Sequence, residues 1–436
     1  MRQFPATTLS PIVLFIAVVT AARADDWPQW RGPTRDGVWH ETGIVQKLPA
    51  DQLPVKWRVP ILSGYCSPTV AQGHVYVMDR LVKGSQQQER VLCFNADDGK
   101  EIWSFPYDCQ YIKIGYQAGP RACVTVDEGR AFALGAMGHI HCLDAATGKV
   151  VWARDLNAEY KIEMPIWGIS AAPLVFEKLV ILHIGGSNGA CIVGLDKATG
   201  QEVWRSLEDR AQYSTPILIK QGNQDVVVCW TGDSVSGLDP ASGKVFWRIP
   251  WKPRNMPIGI ATPILQDDRL FLTSFYDGSL MLKLSKTEPN AEKEWQRVGA
   301  SETNTDALQS IISTPIFLGD YIYGVDSYGE LRCIKAGNGD RVWEDLSATP
   351  KTRWGTIHFV RQGEHVWMFN ERGDLIIADL SPAGFKPLSR THLISPTNEQ
   401  LNRRGGVCWS HPAFANRCIF IRNDNELVCA SLASDK

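Results

Sequence analysis

The chain has 436 residues, with 45 Lys and Arg against 47 Asp and Glu, a net charge of −2. That balance excludes a strongly basic nucleic-acid face. Eleven cysteines are present, with no vicinal pair, no C-x-x-C and no C-x-x-C-H haem site.

The chain opens with a basic start at Arg2, an apolar run from Leu9 to Val19 and the small-x-small site Ala22-Arg23-Ala24. This pattern reads as a secretory signal peptide over residues 1–24, removed on export. No later stretch is long and apolar enough for a transmembrane helix, so the expected product is periplasmic or secreted, with no membrane span after cleavage. The next segment, DDWPQWRGPTRDGVW (25–39), follows neither a helix nor a strand period. Its three tryptophans are too apolar to stay in solvent. Residues 25–54 therefore read as an irregular strap packed beside the seam where the last unit meets the first; the alternative is that 25–39 reaches the channel mouth and contributes to a site. Arg31 and Arg35 are expected to cap carbonyls there or pair with acids.

A repeat follows over residues 55–436. LCFNADDGKEIW, HCLDAATGKVVW, VGLDKATGQEVW, SGLDPASGKVFW and RCIKAGNGDRVW end at Trp103, Trp152, Trp204, Trp247 and Trp343, and a worn copy ends at Trp295. The intervals are 49, 52, 43, 48 and 48 residues, a period that belongs to propellers and solenoids. Gly99, Gly148, Gly200, Gly243 and Gly339 supply the turn between two antiparallel strands. Each Trp closes a fourth strand and covers the space to the neighbouring sheet.

A second series marks the first strand of each unit: CSPTV, SAAPLV, STPILI, ATPIL, STPIF and SHPAF, with RACVTV and WGTIHF filling two gaps. Each unit then has four strands, a to d, running outward. The eighth unit has only three. The missing strand is LPVKWRVP (53–60) with Trp57, placed before the first unit. The expected fold is all-β: an eight-bladed propeller of four-stranded blades, closed by an N-terminal strand completing the last blade.

The other short patterns read as structure. GGSNG (185–189) lies between strands, so it is a b–c turn and not a nucleophile elbow. NDNE (423–426) is another b–c turn. His139 and His141 share a strand face without a third ligand. Cys93, Cys142, Cys333 and Cys429 occupy one repeat position and read as buried small hydrophobes. The longest b–c turn, residues 79–90, reads as polar and mobile, with no assignable chemistry.

The D-A-x-T-G-K-x-x-W unit resembles the pyrroloquinoline quinone (PQQ) propeller repeat, and with the DWPQWRGPTRDGV leader it is most similar to bacterial exported PQQ-binding-like propeller proteins. The resemblance covers nearly all of the chain after residue 24. It implies the eight-bladed fold. It also connects the chain to two functions, quinoprotein dehydrogenases using PQQ with calcium and a non-enzymatic outer-membrane assembly scaffold. The vicinal cysteines of the dehydrogenases are absent, no segment matches their calcium or catalytic motif, and the scaffold's lipidated cysteine is missing. No catalytic or metal residue is therefore carried over.

The d–a linkers and b–c turns gather at one channel mouth. The candidate binding residues there are Tyr65, Arg121, Trp167 and Trp409, with Arg353, Trp354, Arg403 and Arg404. Tyr116 and Tyr213 lie in the same linkers, and Asp79, Asp233, Asp277 and Asp326 in the turns. Aromatics and arginines at a mouth suit a planar anion. The expected function is a non-catalytic binding or scaffold propeller of the cell envelope, with a protein, peptide or surface polysaccharide as partner. A PQQ-dependent oxidoreductase and a carbohydrate-binding propeller are the alternatives.

Overall fold

A computed structural model describes Met1 and residues 25–49, 51–401 and 405–434. The expected signal segment lies outside the described residues apart from Met1. No helix among the described residues is long and apolar enough to cross a membrane.

The described strands form eight four-stranded antiparallel sheets, each built from consecutive strands except one. Blades 1 to 7 begin at Thr69, Thr125, Leu174, Ile217, Ile264, Ile316 and Ile357. In blade 8 the strand Val55–Pro60 pairs with Glu426–Ser431, placing Trp57 opposite Cys429. This is the closure read from the repeat. All eleven cysteines are buried and unbridged. One five-residue helix, Leu156–Tyr160, interrupts the pattern between blades 2 and 3. The Asp155 side chain caps it by accepting from the Ala158 N–H, and it ends at Lys161 in the left-handed region.

The repeat residues hold blade to blade. Trp57, Trp103, Trp152 and Trp204 each donate an indole N–H to a carbonyl in the c–d turn of the next blade: Ala96, Ala145, Lys197 and Pro240, at 2.9–3.1 Å. The same turn carries the repeat glycine, and the ring lies against it. A Cβ on Gly148 would stand 2.6 Å from the Trp103 ring, and one on Gly200 would stand 2.6 Å from Trp152. Each c–d ladder slips one residue just before its Trp, as between Cys93 and Phe94 or Cys142 and Leu143. This bulge turns the indole inward and leaves Ile102, Val151, Val203 and Val342 facing solvent.

Blade 7 lacks the Trp. Its ladder places Ser389 opposite Ile377, at the position of the indole. The strap repairs this seam. The Ser389 hydroxyl accepts from the Leu48 N–H at 2.9 Å, and Leu48 is buried. Glu41 accepts from the Arg417 N–H, and Ile44 bridges Ala433. Residues 41–48 of the strap therefore lie between blades 7 and 8, while at the expected seam between 8 and 1 Trp27 packs on Phe414 beside Val70, and the latch strand's own Trp57 covers the next blade's turn.

The first part of the strap does more than border the ring. Trp27 bridges Val70 of blade 1, and Trp39 donates its N–H to Arg361 O of blade 7. Between them, Arg35 donates to Pro216 O and Pro173 O, and the Trp30 indole donates to Thr262 at 2.8 Å. Residues 27–39 thus cross the central channel. The segment 79–90 also departs from expectation. It is an ordered extension of two strands, His74–Lys83 and Gln86–Asn95. Its buried Glu89 accepts from the hydroxyls of Tyr107 and Tyr111, both at 2.5 Å. Those bonds tie the arm to the last strand of blade 1 and to the linker after it.

Candidate functional site

The b–c turns hold the d–a linkers. The Asp79 carboxylate accepts from the Leu62 N–H at 2.7 Å, Asp277 from Arg254 at 2.7 Å, Asp326 from Gln309 at 2.6 Å and Asp233 from Arg210 at 3.0 Å. Linkers have no ladder of their own, so a side-chain acceptor one blade element away satisfies their backbone. These acids are committed to linker backbone and not to a ligand.

The linkers so placed enclose a cavity of about 150 Å³ at the starts of the innermost strands. Tyr65, Arg121, Trp167, Trp354 and Trp409 of the expected set line it, together with Tyr116 and Tyr213. The rings meet one another. Tyr116 lies 5.6 Å from Trp167, 5.9 Å from Trp354 and 6.2 Å from Trp409, between centroids, and Trp167 lies 5.2 Å from Tyr213. Arg353 stands behind this wall, its guanidinium 4.6 Å from the Trp354 ring and paired with Glu302 at 2.7 Å. Arg403 and Arg404 lie outside the described residues.

The charge at this mouth is already engaged. Arg121 donates to Gly119 O at 2.7 Å, Gly115 O at 2.8 Å and Tyr116 O. Burial pushes the Tyr65 phenol well up and raises Tyr213 to about 12. Both remain neutral hydrogen-bonding groups, and Tyr65 donates to Gln400 O at 3.0 Å.

The floor consists of residues the sequence reading did not single out: Trp30 from the strap, Ser67, His358 and His411. The Pro series carried a signal for some of them. Ser67, Ala172, Thr215 and His411 each directly precede the proline of an innermost strand, and all four face the cavity. The contribution of Trp30 follows only from the path of the strap. His358 and His411 have ring centroids 4.9 Å apart. Burial lowers His358 to about 4 and His411 well below its ordinary value, so both are neutral at physiological pH. Among the described residues, Ser67 Oγ, Trp354 Nε1, Trp409 Nε1 and His411 Nε2 have no hydrogen-bond partner.

A quinone with calcium does not fit these residues. Calcium takes six to eight oxygen ligands, often carboxylates, and among the described residues no Asp or Glu lines the cavity. No group of three His, Cys, Asp or Glu able to hold a metal occurs among the described residues. The volume is also below the roughly 300–1,000 Å³ usual for small-molecule sites.

A family model described as outer membrane protein assembly factor BamB matches residues 87–345. The quinohemoprotein alcohol dehydrogenase ADH-IIG of Pseudomonas putida is 32% identical over 205 residues, covering 42% of this chain and 27% of the dehydrogenase. The outer membrane protein assembly factor BamB of Shewanella oneidensis is 22% identical over 228 residues, covering 51% of this chain and 56% of that protein. The match thus spans less than two thirds of either relative. The crystal structure of the quinohemoprotein alcohol dehydrogenase from Comamonas testosteroni superposes with a TM-score of 0.62 at 14% identity, over 96% of this chain and 82% of that one, a likeness of fold. The repeat, the eight closed blades and the match over residues 87–345 together make this chain a member of the PQQ-repeat β-propeller family.

Proposed function

We propose that the protein is an exported, non-catalytic binding or scaffold propeller of the cell envelope, whose partner is a protein, a peptide or a surface polymer. The observation that carries this reading is the closed mouth. Its aromatic side chains pack on one another, Arg121 donates to linker carbonyls, and the turn acids hold linker backbone. The charged groups of that face are engaged within the ring, and its outer loops are left for a partner. Relatives named as outer membrane protein assembly factors support the same reading.

The dehydrogenase alternative is tested by adding PQQ and calcium to the purified protein. The expected result is no absorbance shift and no dye-linked alcohol oxidation. Turnover with a quinone spectrum would replace the scaffold reading by the oxidoreductase one. For the scaffold reading itself, crosslinking in the envelope fraction is expected to capture partners absent from a control propeller. Recovery no greater than that control would count against it. One observation favours carbohydrate as a second reading: the Trp354 and Trp409 indole N–H groups border the cavity without partners among the described residues. Stacking rings with free donors suit a sugar, and a glycan array tests this.

A further inference from the structure

The strap divides the channel, and the second compartment has a different chemistry. It is a chamber of about 340 Å³ along the innermost strands of blades 4 to 7, bordered by strap residues Arg31 to Val38, whereas Trp30 borders the aromatic cavity. Its apolar wall includes Ile217, Ile264 and Phe317, and its polar wall is Arg31, Arg35 and Arg361.

The two buried arginines have little counter-charge: Asp36 acts on Arg31 only through its field and forms no ion pair with it. Arg31 is 1% exposed and Arg35 4%. Arg31 donates to two neutral carbonyls, Arg35 O and Asp36 O, at 3.3 and 3.0 Å. Arg35 donates to the Gln29 amide oxygen at 2.8 Å and to Pro216 O and Pro173 O. Neither makes an ion pair among the described residues, and Arg31 Nε has no partner there. The one acid bordering the chamber, Asp36, is exposed and accepts from the Val38 N–H. Burial lowers both guanidinium groups only to about 10, so both are charged at neutral pH. A buried cation that finds dipoles but no anion is costly, and a carboxylate bound beside it would offset that cost.

We propose that this chamber is a binding site for a small carboxylate with an apolar body. The carboxylate would meet Arg31 and the rim cation Arg361, and the body would lie on the isoleucine and phenylalanine wall. A free organic acid and a peptide C-terminus ending in an apolar residue offer the same chemistry. The inference goes beyond the scaffold reading and does not rest on it, because the chamber and the aromatic mouth are lined by different residues.

The test is calorimetric titration of the full protein at low salt with hexanoate, its neutral analogue hexanamide, and the tripeptide Ala-Ala-Leu as free acid and as amide. The expected result is one hexanoate site, with hexanamide at least about tenfold weaker. Arg35 anchors the strap, so Arg35→Gln risks unfolding. Arg361→Gln is the working variant, because Arg361 is exposed and docks the strap only through its backbone N–H and C=O. It should weaken hexanoate roughly three- to tenfold and leave hexanamide unchanged. If the tripeptide acid binds as tightly as hexanoate and its amide does not, the natural carboxylate is a peptide end. If hexanoate alone binds, it is a free acid. Equal affinity for hexanoate and hexanamide, or no binding of any of the four, overturns the proposal.

Discussion

Gly148 shows how one residue serves two demands. Its φ is +69°, where a side chain is strained, and the Trp103 ring fills the space a Cβ would need. Gly73 separates the two demands: its φ is +78°, but nothing lies within 4 Å of a Cβ there. Gly148→Ala is therefore expected to destabilise by roughly 3 kcal/mol or more, and Gly73→Ala by about 1 kcal/mol, in urea denaturation. The buried histidines give a second expectation. His141, His183 and His358 are each lowered by burial from 6.5 to about 4. As pH falls, the unfolded chain takes up these protons first. Their contribution is therefore full above pH 6.5 and is lost between pH 6.5 and 4, at about 1.4 kcal/mol per pH unit for each imidazole. His358→Gln keeps a donor near Trp409 O and should flatten the fall of the denaturation midpoint over that window. An unchanged slope would place the proton uptake elsewhere.

Strands were legible; of the strap, the buried tryptophans and the carbonyl-capping arginines were legible and the path was not. The glycine turns and tryptophans repeat often enough to align against each other, so one blade teaches the next. Even the bulge left a trace, since pairs such as Val150-Val151 before Trp152 break strict alternation. Residues 25–48 have no second copy, and their path depends on gaps elsewhere: a missing indole in blade 7 and an open channel. Neither gap is a property of the strap's own residues. The 79–90 arm was misread for a related reason, because its polar glutamines carry no burial signal although Glu89 beside them is fully buried. Removing residues 25–39 takes away Trp27 and Trp39, 2% and 1% exposed, and opens the channel. The melting temperature is expected to fall by on the order of 10 °C. An unchanged melt would mean that the strap rests on a ring already complete without it.

At the scale of the whole molecule, the ring was readable from its period, and the mouth was readable in part. Aromatic residues in the linkers did converge on one cavity, but their polar partners could not be read, because those lie one or two blades away in sequence. The Glu302 partner of Arg353, 51 positions upstream, is such a case. The latch strand also orders events in time. Each of the first seven blades can pair from neighbouring residues as soon as they are synthesised. Val55–Pro60 is made before any of them, yet its Arg58 meets Glu426, 368 positions later. Closing so long a loop makes the eighth blade the slow, final step of folding. Until then the earliest strand stays unpaired. An interrupted or shortened chain would expose the sheet edge that the finished ring conceals, so an unfinished ring is recognisable by that edge.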